Sequence, residues 1–325
     1  MSNRDVSAAI GLLAETLRTL GRSEVRADES LARYTALRIG GPADLLVRTE
    51  SVDSLRQAVS LSWEAGLPCQ VLGSATNVLV SDAGIRGLVI LNRARRVHFA
   101  ETVVHAESGA SLSTLARQSI NRGLTGLEWA IGIPGTVGGA VVGNAGAWGG
   151  DIASSLTQAR VLERDGETGV WPVENLQYGY RTSILKQPML DGLMGNVVLE
   201  AEFAVQRGER GALEEKVTRI VSRRKASQPP GATCGSVFRN PAGDHAGRLI
   251  ETAGLKGKRC GGMEISPVHA NFFVNRGHAS ASDMRCLIDL ARSTVLAQYG
   301  ITLELEIQLI GDWTERTLGM DQSDG

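Results

Sequence analysis

Apolar residues recur along this chain in two periods, and the switches between them divide it into elements. Ile10, Leu13, Leu17 and Leu20 follow helical spacing and predict a first helix over residues 7–20. "TALRIGGPADLLVRTES" reads as a turn followed by a short strand. Ser51 then stands where a helix cap is needed, before a helix that carries Leu55, Val59 and Trp63 and is closed by Gly66 and Pro68. "CQVLGSATNVLVSDAGIRGLVILN" alternates short apolar strands with turn residues, and "VHFAETVVHAESGA" predicts a hairpin. Ser111 is placed to cap a further helix that stops at Gly123. "ARVLERDGETGVWPV" has Asp-Gly at its centre, a second hairpin signal, and is followed by the strand "NVVLEAEFAVQ" and a helix near 210–225. Gln228-Pro229-Pro230 interrupts the pattern and marks the predicted domain boundary. Beyond it come short strands around "GSVFRN" and "NFFVN", then a helix over 281–299 with Gly300 just past its end. In "ITLELEIQLIG" the alternation is strict: Ile301, Leu303, Leu305, Ile307 and Leu309 share one face, while Thr302, Glu304, Glu306 and Gln308 share the other. Repeats at solenoid periods and low-complexity tracts are absent, so the class is α+β with mixed sheets.

Length and composition narrow the picture. A chain of 325 residues predicts two or three domains, since a single core rarely grows past roughly 250–300 residues. Its 34 Lys and Arg balance 35 Asp and Glu, so no electrostatic case exists for a nucleic-acid or anionic-membrane partner. Polar and acidic residues interrupt "MSNRDVSAAIGLLAETLRTLGRSE", which is therefore not read as a signal peptide, and no apolar run approaches the roughly 20 residues of a membrane span. Cys69, Cys234, Cys260 and Cys286 are scattered and form no CxxC, which speaks against a zinc site; four free thiols in a reducing, cytoplasmic compartment are expected.

The chemistry is sparse and is concentrated around glycine. "GIPGTVGGAVVGNAGAWGG", residues 132–150, holds eight glycines in nineteen positions and carries no nucleophile–base pair, acid pair or metal-ligand set. Such backbone can approach a large ligand that Cβ atoms would hold off. Gly73-Ser74-Ala75-Thr76-Asn77, between two strands, suits a pyrophosphate equally well, or is an ordinary polar hairpin. A G-x-G-x-x-G opening a helix is missing, so a Rossmann site is not supported. Arg181 in "YGYRTSILK" offers fixed donors to an oxyanion, or is a packing residue. Ser236 in "CGSVFRNP" lacks the setting of a nucleophile elbow. His269 has no second and third ligand at metal spacing.

Taken in order, the glycine turn, "GIPGTVGGAVVGNAGAWGG", "YGYRTSILK", "GSVFRNP", "HANFFVN" and "LELEIQLIG" closely resemble the UDP-N-acetylenolpyruvoylglucosamine reductase (MurB) family, over about Tyr34 to Gly311. The resemblance implies an FAD-binding PCMH-type (vanillyl-alcohol-oxidase-like) domain in two lobes, residues 1–90 and 91–225. A smaller α+β substrate-binding domain (226–300), a strand returning to the FAD domain (301–311) and a flexible tail (312–325) complete the expected organisation. Non-covalent FAD, NADPH as reductant and the enolpyruvyl ether of UDP-N-acetylglucosamine as substrate follow from the same resemblance, with no metal. Where the family commonly writes Gly-Gly-Gly-Ser-Asn, this chain has Gly73-Ser74-Ala75-Thr76-Asn77. The short passage from "YGYRTSILK" to "NVVLEAEF" matches the family's shorter, second type.

Carried over residue by residue, the resemblance makes Arg181, Ser236 and Glu306 catalytic: a fixed cation, a proton donor and a carboxyl that holds the enol. It implies that Gly73 to Asn77, Gly132, Ile133, Pro134, Gly135, Gly138, Gly139, Asn144, Ala145 and Gly146 hold FAD. Tyr180, Lys225, Asn240, His269 and Asn271 are expected at the substrate, Lys225 near its diphosphate. The expected protein is a monomer acting on a small molecule. A flavin-dependent sugar or aldonolactone oxidase on the same fold is the alternative. Many such oxidases tether flavin through a histidine in the first glycine turn, and none lies between Gly73 and Asp82. A catalytically dead nucleotide-binding regulator would need none of Arg181, Ser236 and Glu306.

Overall fold

A computed structural model of the protein describes residues 3–19, 24–186 and 195–313. Leu20, part of the passage that suggested the shorter type, and the tail from residue 314 lie outside the described residues.

The first sheet orders its strands Val25–Ser30, Pro42–Thr49, Ile85–Asn92 and Cys69–Leu72. The first pair is antiparallel and the others are parallel. Helices α1 (Asn3–Thr19) and α2 (Val52–Glu64) pack on it, burying Leu13, Leu17, Leu55 and Val59 with the sheet's Leu45, Val47, Leu88 and Ile90. Ser51 starts α2 as expected, its hydroxyl accepting from Ser54 N while Ser54 Oγ accepts from Ser51 N.

A second, wholly antiparallel sheet runs Thr168–Pro172, Leu156–Leu162, Val197–Ala204, Val103–Glu107 and Val97–Ala100. Both hairpins read from the sequence are in it. Its inner face meets α3 (Leu112–Asn121), capped by Ser111, then α4 (Val137–Gly143), α5 (Ile152–Ser155) and α6 (Arg210–Ser227). The glycine-dense stretch thus contains a two-turn helix in spite of glycine's poor helix propensity. The close packing explains it: a Cβ on Gly138 would lie 2.8 Å from Ser108 Cβ, and Gly138 N donates to Ser108 O at 2.8 Å.

After Pro229-Pro230 the chain forms α7 (Ala246–Thr252), a three-stranded antiparallel sheet (Arg259–Cys260, Met263–Ile265, Phe273–Asn275) and α8 (Ala281–Tyr299), closed by Gly300 at φ +68°. Its core is shared, since Leu37, Ile39 and Leu79 of the first lobe pack with Phe238, Phe273, Met284 and Ile307. Asp82 joins the two parts by accepting from Ala281 N (2.7 Å), Ser282 N (2.9 Å) and Ser282 Oγ (2.8 Å) at the start of α8.

Three expectations fail here. "GSVFRN" is not a strand; Ser236 and Phe238 make isolated bridges to two different segments, at Phe272 and Leu305, so no continuous ladder forms. "ITLELEIQLIG" is not one regular strand either. Glu306 N and Ile307 N both point at Val237 O, at 2.9 and 3.5 Å, a kink that interrupts the ladder, while Ile301, Leu303, Leu305, Ile307 and Leu309 keep their expected common face against the core. Only Gln308–Ile310 pairs as a strand, parallel to Val78–Val80 of the first lobe. Finally, the thiols are not all free: Cys260, on the edge strand, is joined by a disulfide to Cys286 on α8, the hairpin end bringing their Cα atoms to 6.4 Å. Cys69 and Cys234 are free and buried, and burial pushes each thiol pKa up to about 12.

Asp82→Ala should remove three hydrogen bonds at the α8 N-terminus and cost about 1–2 kcal/mol. Thermal unfolding should shift down by a few degrees with FAD content unchanged; an unaltered melting temperature would show that Asp82 does not fasten α8 to the first lobe.

Candidate active site

The two lobes and the C-terminal part enclose a cavity of about 550 Å³. One wall is the turn Gly73 to Asn77, and the facing wall is Ile133 to Thr136 with Gly138, Gly139, Ala145 and Gly146. The walls touch at their base. Thr76 Oγ1 donates to Pro134 O at 3.3 Å, and a Cβ on Gly73 would stand 2.2 Å from Thr136 Oγ1. Ala75 has φ +46°, so the family's glycine is replaced here by a residue that still takes the left-handed backbone.

Arg181, Glu306 and Ser236 line the same cavity. Arg181 sits in the turn Gly179–Thr182 at φ +57°, a conformation that costs a non-glycine residue roughly 1–3 kcal/mol and that the surroundings must enforce. Asn144 and Ser183 do part of this. Asn144 Nδ2 donates to Gly179 O at 2.9 Å, and Ser183 Oγ donates to Val142 O at 2.7 Å. The guanidinium reaches back across the glycine loop, with Nη2 donating to Gly146 O at 2.6 Å and Nη1 to Asn144 O at 3.4 Å, while Nε lies 2.9 Å from Glu306 Oε1.

The two acids of the last segment differ in their surroundings. The Glu306 side chain is 18% exposed and faces the cavity; that of Glu304 is 73% exposed and lies 3.7 Å from Arg239. Burial pushes the Glu306 pKa up, Arg181, Lys186 and Arg239 pull it back, and the balance leaves it above the ordinary carboxylate range. The backbone around Glu306 is tied to the glycine turn, since Asn77 Nδ2 donates to Glu306 O at 3.1 Å and Gln308 N to Asn77 O at 3.0 Å.

Several expected residues lie elsewhere. Gly132 is outside the cavity lining and lets Arg224 lie over it, a Cβ there meeting Arg224 Nε at 3.0 Å. Asn144 is buried and braces the Arg181 turn. Tyr180 is exposed, with its ring 5.4 Å from the Arg181 Cζ. Lys225 points to solvent; its neighbour Arg224 lines the cavity instead, since adjacent helical residues are about 100° apart. Asn240, His269 and Asn271 line a second cavity of about 300 Å³, and Ser236 borders both. In that second cavity Asn271 is spent on the Phe238 backbone, accepting from its N at 2.9 Å and donating to its O at 2.8 Å. Burial lowers the His269 pKa, which favours the neutral ring.

The sequence reading missed Lys186, Arg224, Asn92 and Ser108, which all line the main cavity. Lys186 follows Arg181 by five residues in "YRTSILK", and Arg224 lies on the helix face beside the one chosen. Among the described lining residues Glu306 is the one carboxylate, against Arg181, Lys186 and Arg224. Glycine-rich backbone on two touching loops and a surplus of cations fit a diphosphate-bearing cofactor such as FAD.

Residues 43–169 match the family model described as "FAD binding domain", and residues 226–310 match "UDP-N-acetylenolpyruvoylglucosamine reductase, C-terminal domain". The chain is 44% identical over 290 residues to UDP-N-acetylenolpyruvoylglucosamine reductase of Chloroflexus aggregans, covering 88% of this chain and 97% of that one. It is 46% identical over 287 residues to the reductase of the same name from Rubrobacter xylanophilus, covering 88% and 95%. The crystal structure of the Thermus caldophilus enzyme superposes with a TM-score of 0.75 at 33% identity, over 89% of this chain and 98% of that one.

Gly138 and Gly139 give opposite expectations. A Cβ on Gly139 would meet only Thr136 Oγ1, at 3.6 Å, and otherwise project into the cavity. Gly139→Val should therefore fold and lose FAD, whereas Gly138→Val should collide with Ser108 and lower the melting temperature. The flavin-to-protein absorbance ratio of the purified variants measures this, and full flavin content in Gly139→Val would remove the cradle.

Proposed function

This chain belongs to the UDP-N-acetylenolpyruvoylglucosamine reductase family, and on that premise we propose that its cavity divides the reduction of an enolpyruvyl ether among Arg181, Ser236 and Glu306. The protein is an FAD-containing oxidoreductase of peptidoglycan precursor synthesis; the oxidase alternative is not favoured by its relatives. FAD supplies the hydride, taken from NADPH, that the C=C accepts at C3. The chain's own residues manage the charge and the proton on the substrate. Charge develops over C2 and the carboxylate, and a preorganised cation there lowers the barrier; one such donor is typically worth about 10²–10³ in rate. Arg181 suits that task because its guanidinium is already fixed by two carbonyls and a carboxylate. Ser236 gives its proton to C2, and its place on the cavity wall that Arg181 and Glu306 also line supports this. Glu306, holding its proton to higher pH than a free carboxyl, hydrogen-bonds the enol.

The observation that carries the reading is the meeting of Arg181 and Glu306, 125 residues apart in sequence by their numbers, at 2.9 Å on the wall of a glycine-lined cavity that Ser236 also borders. Asn240, His269 and the second cavity are assigned to the nucleotide-sugar part of the substrate, and Arg224, in place of Lys225, to a diphosphate. Turnover as a monomer in the cytoplasm, without membrane or nucleic-acid partners, fits small-molecule substrates of this kind.

Ser236→Ala should be reduced by NADPH at a near-normal rate and then reoxidise very slowly when the enolpyruvyl substrate is added. Equal slowing of both half-reactions would make Ser236 a structural turn residue. Glu306→Gln should lose on the order of 10²-fold or more in turnover. Glu304→Gln, at an exposed site, should stay close to wild type; equal small losses in the two variants would place the acid elsewhere.

A further inference from the structure

The corner that holds Arg181 contains a second cation. Lys186 ends the single 3₁₀ turn Ile184–Lys186, lines the main cavity, and its Nζ donates to the Arg181 carbonyl at 3.0 Å. Arg239 Nη2 approaches the same oxygen at 3.5 Å. The carbonyl thus pinned belongs to the residue at φ +57°, whose guanidinium makes the contacts to Gly146 and Glu306. Rotating that peptide out of the left-handed region would strip the half-buried ammonium of its acceptor, which buried polar groups strongly resist.

We propose that Lys186 is a positioning residue for the reduction: it locks the Arg181 peptide in its turn and adds a second positive charge facing Glu306. The proposal rests on the roles given above to Arg181 and Glu306. Three cations face Glu306 from separate segments, Arg181 from its turn, Lys186 from the 3₁₀ turn and Arg239 from the stretch after Ser236; the buried Cys234 thiol is also close enough to sense it. Burial lowers the pKa of Lys186, as do Arg239 and Arg181, and Glu306 opposes that fall. Coupling runs both ways, so loss of the ammonium lets the Glu306 pKa climb further. If protonated Glu306 is the working form, turnover falls as pH rises through that pKa, and removing Lys186 moves the fall to higher pH.

The test uses FAD-loaded Lys186→Met, Lys186→Gln and Lys186→Arg. In the Met and Gln variants flavin reduction by NADPH should stay within about twofold of wild type, while reoxidation by the enolpyruvyl substrate slows on the order of 10- to 100-fold, as expected for a displaced catalytic group. The basic limb of the turnover–pH profile should move upward in both. Lys186→Arg, which keeps the charge, should leave that limb in place and recover part of the rate. Reoxidation within about twofold of wild type and an unmoved limb in either neutral variant would overturn the proposal. Should the Met variant fail to retain FAD, the Gln variant carries the same charge test. Glu306→Gln, measured alongside, separates the two levels: its loss of turnover with an unaffected Lys186→Met overturns only the Lys186 role, whereas full turnover in Glu306→Gln overturns the reading of the acid itself.

Discussion

A single guanidinium, bound to two backbone carbonyls and a carboxylate, joins the second lobe to the segment that returns after α8. Arg181 comes from the second lobe, Gly146 and Asn144 from the glycine-dense loop, and Glu306 from the segment that returns after α8. The Glu306 backbone is held in turn by Asn77 of the first glycine turn and by Val237 beside Ser236. The two glycine loops, the Ser236 segment and the Glu306 segment are therefore linked by hydrogen bonds and one ion pair. A half-buried ion pair of this kind adds little to stability, since desolvation offsets much of the attraction. Its value lies in geometry, because breaking it leaves an uncompensated charge inside the protein.

That constraint accounts for features that look costly in isolation. A left-handed arginine, glycines within a short helix and a kink in an otherwise alternating strand each oppose a local preference. Each also stands at the cavity wall. Glu306 faces the cavity while Glu304 stays in solvent, and Gly138 lets α4 settle on Ser108 so that Gly139 and the preceding loop face the cofactor space. Local conflicts of this type are where a sequence gives up stability for a site.

The sequence made the elements legible wherever period and caps agreed. Ser51, Ser111 and Gly300 mark helix ends because capping is a local interaction with local residue requirements. The order of glycine blocks pointed to the cradle for the same reason. The features that stayed hidden were set by long-range contact. Strict alternation in "ITLELEIQLIG" placed the two acids on the face away from the core, but could not reveal that Glu306 would meet the cavity wall while Glu304 stayed in solvent. Lys225 and Arg224 differ by one helical position, and only packing against Gly132 decides which faces inward. The Cys260–Cys286 pairing, across a hairpin and a helix, had no signature in spacing.

The residues around Arg181 have one chemical purpose in this reading, to serve an enolpyruvyl acceptor. Wild-type protein, purified with its flavin and reduced anaerobically by NADPH, provides the most direct measurement. Addition of UDP-N-acetylglucosamine enolpyruvate should restore the oxidised flavin absorbance in proportion to the substrate added, and UDP-N-acetylglucosamine without the enolpyruvyl group should not. Flavin that stays reduced with the enolpyruvyl compound and recovers only when oxygen is admitted would contradict it.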